Sequence, residues 1–240
     1  IYDVEDIPKN HPDLEFDDAT AANYYKNFPK VNVISATRIG QVFGGGDNAA
    51  VTGNPHVKID MVKGKVKNNE QPLGTICQVF GGGNNAGVTG STYVDIVKGQ
   101  ITKDVKTPAT ATTAAEYYYN YDTGVFGGCN TQGTISGDTH VTVSGGQIGS
   151  GTLDLTTTPK TFSRTVTGNV HGGGYGKDTY VAGNVQVNIG ESTTSGDAVI
   201  FGDVYGGGAL GHVNAEENTA EAATVPVYHV DKKTTVNLNK

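Results

Sequence analysis

Residues 79–96 read VFGGGNNAGVTGSTYVDI, and this stretch decides the fold. A valine and an aromatic residue run into three glycines. A short Val88-Thr89-Gly90 step follows, then the alternation Val94-Asp95-Ile96. Period-two alternation with β-branched residues marks a strand with one buried face. Glycine between strands marks a sharp turn, because it alone enters the positive-φ region without steric cost.

The pattern recurs five times. Its first step appears at Val42-Phe43, Val79-Phe80, Val125-Phe126, Val170-His171 and Val204-Tyr205, each followed by a glycine run, with spacings of 37, 46, 45 and 34 residues. Its second step appears at Val51, Val88, Ile135 and Val181, with a degraded copy at Val213. Its third appears at Val57, Val94, Val141, Val187 and Val236. A further apolar residue often follows a glycine, as at Val66, Ile101 and Ile148. Internal repeats of 20–50 residues signal a solenoid or an array.

Each unit is expected to form three strands separated by glycine corners, which is one turn of a triangular tube. The predicted fold is therefore all-β: a single-stranded parallel β-helix, or solenoid, of about five three-sided coils. The general preference makes it right-handed. Successive coils should stack at roughly 4.8 Å, giving a rod about 25 Å long. Valines 42, 79, 125, 170 and 204 should form one internal ladder, and the third-strand valines another.

The unequal spacings imply insertions at approximately 67–75, 102–122, 149–166 and 191–200. They are expected at one corner, between the third strand of one unit and the first of the next, because insertions in repeat proteins map to one face. A fifth insertion, roughly 215–233, falls between the second and third strands. Residues 31–240 are read as the repeat domain, with Val31-Asn32-Val33 as a partial coil, and as an expected segment of a longer array. Residues 1–30 are acidic and read as a cap, with Asp17 or Asp18 starting a short helix.

Composition fits a thin core. Hydrophobic residues make up 36 %, glycine numbers 35, and tryptophan is absent. A wall one side chain deep needs few large residues. The net charge of −7 disfavours nucleic acid and acidic membrane surfaces as partners. No apolar run is long enough to span a bilayer. Cys77 and Cys129 are expected to be free thiols, since their offset in the repeat register is too large for a disulfide.

The VFGGG and VYGGG units, followed by N-x-x-V-T-G and V-x-I-x-x-G, resemble the glycine-rich β-helical repeats of large adhesin-like surface proteins of gut anaerobic bacteria. The resemblance implies an extracellular or cell-surface protein and transfers no catalytic residue.

Candidate binding residues are aromatic. Phe43, Phe80, Phe126, His171 and Tyr205 should point outward, opposite their neighbouring valines. There they either stack on sugar rings or form a structural ladder under the insertions. Tyr117, Tyr118, Tyr119 and Tyr121 suit glycan or protein recognition, or else fold back over the ridge. Tyr24, Tyr25 and Phe28 form a weaker cluster of the same kind.

Other motifs point away from chemistry. Gly173–Tyr180 matches a calcium nonapeptide in a single copy, whereas calcium sits between consecutive copies, so no metal or other cofactor is expected. His56 and His140 should lie two coils apart, too far to share a metal. Asp47, Asn48, Asn84, Asn85 and Asn130 should hydrogen-bond along the stack. The row Thr52, Thr89, Ser136, Ala182, Asn214 is too irregular for an ice-binding face.

Two functions remain: a non-catalytic surface scaffold or adhesin that binds glycan or a host protein and is open to self-association, or a polysaccharide lyase or hydrolase. The outward positions Lys58, Asp95, Thr142, Asn188 and Asn237 offer no pair of acids in adjacent coils, and a hydrolase needs two. That favours the scaffold.

Overall fold

The computed structural model describes residues 29–63, 65–66, 69–70, 72–154, 156, 158–190, 198–220 and 225–239. The acidic segment 1–28, with its expected helix and the cluster Tyr24, Tyr25 and Phe28, lies outside the described residues, as does 191–197. The described chain is all-β, with no helix.

Three parallel sheets take strands from each repeat in turn. The third sheet is the most regular. Its strands are Lys30–Val33, His56–Asp60, Thr92–Lys98, Thr139–Val143, Val185–Ile189 and Thr234–Leu238, and neighbours in this order pair in parallel. Val31, Val57, Val94, Val141, Val187 and Val236 are register partners in succession, as are Val33, Ile59, Ile96, Val143, Ile189 and Leu238. The second sheet stacks Val51, Val88, Ile135, Val181 and Val213 in the same way. The first sheet stacks Val42, Val79, Val125, Val170 and Val204, the ladder expected from the sequence. These residues form one hydrophobic core, except Val236 and Leu238 on the last strand, which are exposed.

The first sheet holds a second ladder: Ile39, Ile76, Ile101, Ile148 and Ile200. Ile76 and Val79 are three residues apart, so simple alternation would send them to opposite faces. Both are fully buried in the core. The strand Thr75–Phe80 must therefore turn over at Cys77-Gln78.

That kink corrects the expected position of two insertions. Gln100–Ile101 pairs with Thr75–Ile76, and Gln147–Ile148 pairs with Gln100–Ile101, so both segments already belong to the first sheet. The long insertions follow them and end at Thr123 and Gly168, which align with the kink. They leave from inside the first sheet, not from the corner before it. Val66 is also reassigned. It pairs antiparallel with Asn69 and takes no part in the isoleucine ladder.

Among the described residues, the longer insertions form antiparallel hairpins. Val105–Thr107 pairs with Glu116–Tyr117, and Ser150–Asp154 pairs with Thr161–Val166. The fifth, Ala215–Glu216 with Val227–Tyr228, lies between the second- and third-sheet strands, as the spacing implied.

Close stacking explains the first glycine of each run. The amide of Gly81 donates to the Phe126 carbonyl at 2.9 Å, and the amide of Gly127 donates to the His171 carbonyl at 3.0 Å. A Cβ on Gly81 would lie 2.5 Å from the Gly127 carbonyl oxygen, so no other residue fits. Thr92 and Thr139 point into the same gap, and their hydroxyls donate to the Gly127 and Gly172 carbonyls at 2.6 and 2.7 Å. Both buried hydroxyls are thereby satisfied.

Candidate functional site

The residue after each first-sheet valine faces away from the core. Phe43, Phe80, Phe126, His171 and Tyr205 stack with centroid separations of 5.0, 4.8, 5.1 and 4.7 Å and interplanar angles of at most 13°. Rings stacked this way offer their faces to one another. Phe80, Phe126 and His171 are only 0 %, 2 % and 6 % exposed, while Phe43 is half-buried and Tyr205 is 44 % exposed. A covered structural ladder describes the middle rings, whose faces are turned to one another. Burial pushes the His171 imidazole down to about 4, against a smaller opposing effect of the Gly207 carbonyl. Its Nδ1 is buried without a partner.

The tyrosine-rich insertion folds back over the first two repeats. Tyr119 packs its ring against Gly40, where an added Cβ would lie 3.2 Å from it. Arg38 holds the insertion from below: its guanidinium lies 3.5 Å from the centre of the Tyr118 ring, and it pairs with Asp104 at 2.5 Å. Cationic contact with a tyrosine face is favourable electrostatically. Tyr119 and Tyr121 lie 6.0 Å apart, and Lys103 sits 5.5 Å from the centre of Tyr117. Tyr118 and Tyr121 remain exposed, and Tyr117 and Tyr119 are half-buried.

The insertion ends at Asp122, whose Oδ2 accepts a 2.7 Å hydrogen bond from the Tyr175 hydroxyl. That bond, more than burial, pushes the Tyr175 phenol up to about 12. Tyr175 also meets Phe126 edge-on, with an interplanar angle of 79° and centroids 5.4 Å apart. The sequence carried one signal for this bridge. Tyr175 takes the place after the glycine run that Asp47, Asn84 and Asn130 occupy in earlier repeats. There the expected ladder is present: Asn84 donates to Asp47 at 2.7 Å and Asn130 donates to Asn84 at 2.8 Å. A tyrosine breaks that ladder and reaches Asp122 instead.

Two recesses flank the bridge. One, of about 630 Å³, is lined by Lys103, Tyr117, Asn169 and Tyr205 among others. The second, of about 440 Å³, is lined by Gln41, Gln78, Tyr121 and Asn130 among others. Asp122 and Tyr175 line both.

The remaining motifs stay outside this region or serve structure. His56, Tyr93 and His140 form an outer ladder on the third sheet, with centroids 5.8 and 4.7 Å apart, and His56 meets Asp95 at 2.5 Å. Asp178 pairs with Lys177 at 3.1 Å. Among the described residues, no three His, Cys, Asp or Glu side chains converge as a metal site would require. Cys77 and Cys129 are free and buried. The Cys129 thiol points inward toward the Ala86 carbonyl at 3.3 Å, and burial pushes it up to about 11. Burial also raises the Cys77 thiol. Neither is a reactive thiolate. Among the described residues, no helix is long and apolar enough to cross a membrane.

No protein-family model matches this chain, and comparison with curated proteins and with solved structures found no match.

Proposed function

We propose that the three sheets are the walls of one parallel β-helix, and that the protein is a non-catalytic scaffold, adhesin-like, acting at the cell surface or outside the cell. The observation that carries the β-helix is cyclic register. Every repeat gives at least one strand to each sheet, and each joins the equivalent strand of the next repeat in parallel. A fold of this kind grows by stacking and presents its insertions as a surface.

The insertion face supports binding over turnover. Among the described residues lining the two recesses, the carboxylates are Asp122, held by Tyr175, and Asp178, paired with Lys177. Glycoside hydrolysis needs an acid and a second carboxylate facing each other across the bond. Here one is a structural acceptor and the other belongs to an ion pair.

The test is to incubate the full chain with intact cells and with soluble polysaccharides, measuring retention and released product separately. Retention without new reducing ends or unsaturated sugars is expected. Steady release of either product would replace the scaffold with a polysaccharide-degrading enzyme.

A further inference from the structure

The two recesses adjoin at Asp122 and Tyr175, which line both, and together they make a two-lobed track. Gln41 in the first repeat lines the smaller lobe, and Tyr205 in the fifth lines the larger. The track therefore crosses every repeat, about 19 Å along the stack at the strand spacing. Each lobe falls within the usual range of ligand pockets, about 300–1,000 Å³. A path with two lobes suits a chain-like ligand better than a compact one.

The lining defines the chemistry. The smaller lobe is lined by the amide side chains of Gln41, Gln78, Asn120 and Asn130; Gln41 donates to the buried Gln78 at 2.8 Å and Asn130 donates to Asn84 at 2.8 Å. The larger presents the Asn169 amide, the Thr165 and Thr167 hydroxyls and the Lys103 ammonium. Asn169 spends its carbonyl oxygen on the Asp203 amide at 2.9 Å, which leaves its amide hydrogens for a ligand. Mixed donors and acceptors at close spacing match the hydroxyls of sugars.

Charge narrows the class further. Lys177 and Asp178 cancel each other, and Asp122 is an acceptor for Tyr175. Among the described residues no carboxylate pairs with Lys103, which lines the same lobe as Asp122, so the lobe's net charge is near zero. A polyanion would need a basic track. Tyr175 supplies the ring. It is turned 79° from Phe126, so its plane runs along the ladder rather than across it, and it takes no part in the face-to-face stack. Its hydrogen bond to Asp122 fixes it where the lobes meet.

We propose that this track binds a neutral, linear oligosaccharide laid along the repeats, with the Tyr175 ring as its central platform. The proposal rests on the scaffold reading. Calorimetry of the full chain tests it, using gluco-, manno-, galacto- and xylo-oligosaccharides of increasing length, with polygalacturonate and heparin fragments as acidic comparators. One neutral series is expected to bind, tightening with length until both lobes are filled. Tyr175→Ala should weaken it about tenfold, the scale of a lost aromatic platform. Tyr175→Phe keeps the ring and should lose less. Thr142→Ala, on the outward side of the third sheet and lining neither lobe, should change nothing.

Silence from every neutral series, binding by the acidic comparators alone, or full affinity in a folded Tyr175→Ala would overturn the proposal. Failure here is separable from failure of the scaffold. A protein that is retained on cells but ignores neutral oligosaccharides loses the track and keeps the scaffold. One that shortens the oligosaccharide it binds keeps the track and loses the scaffold.

Discussion

The third sheet and the first sheet are built from the same kinds of residue and behave differently. The third runs six strands in one register apart from a bulge between Ile59 and Asp60, and in strands such as His56–Asp60 and Thr139–Val143 its aliphatic residues alternate with outward polar ones. The first is kinked at Cys77-Gln78, carries two inward ladders, and is opened by insertions after Ile101 and Ile148. The lesson is a division of labour. A strict alternating wall has no place to admit extra chain without flipping its core residues outward. A kink already breaks alternation, so a hairpin can leave there while the ladders on both sides stay in place. The candidate binding track lies over that kinked wall.

The comparison breaks first on one buried isoleucine from each sheet. Ile96→Ala in the third sheet should cost about 2–5 kcal/mol of stability, the usual range for emptying a packed site. Ile101→Ala should cost as much, because Ile101 is equally buried between Ile76 and Ile148. Chemical denaturation of both variants measures this. A cost near zero for Ile101→Ala would make it an insertion residue and remove the second ladder.

A smaller effect concerns His171. Its folded value is about 4, below the ordinary 6.5, because burial disfavours the charged form. As pH falls below 6.5 the unfolded chain takes up a proton that the folded chain refuses. The contribution is thus fully present above 6.5 and is lost as pH falls through the window down to about 4, by roughly 3 kcal/mol at most. His171→Phe matches the other ladder rings and removes an unpartnered buried nitrogen. It should flatten the stability profile between those pH values. Melting temperatures measured across the window would show a parallel profile instead if His171 were solvated.

The smallest effect is local. Asp122→Asn should bring the Tyr175 phenol down from about 12 toward its ordinary value, since the Asp122 hydrogen bond is the largest cause of the rise. Ultraviolet titration of the phenols, compared with Tyr175→Phe to assign the transition, measures the shift. An unchanged titration would mean that the two side chains do not meet in solution.

The same contrast explains what the sequence made legible. The third and second sheets and the valine ladder follow period two and could be read directly. The isoleucine ladder could not, because a period-two reading cannot cross Cys77-Gln78, and it pointed to Val66 in place of Ile76. The outward aromatics were legible as a ladder, but their burial depended on how the insertions fold. The Asp122–Tyr175 bridge joins residues 53 apart through side chains alone. Its only trace was a tyrosine where other repeats place Asp or Asn.

The central claim is stacking of the repeats in register, and a distance between spin labels tests it most directly. Lys58, Asp95, Thr142, Asn188 and Asn237 are successive outward register partners on the third sheet. Labels at Lys58 and Asn237 should give a narrow distribution with backbones about 19 Å apart, and moving the second label to Asn188 should shorten it by about 4.8 Å. A separation that stays the same or grows on that move would contradict the stacking and the register built on it.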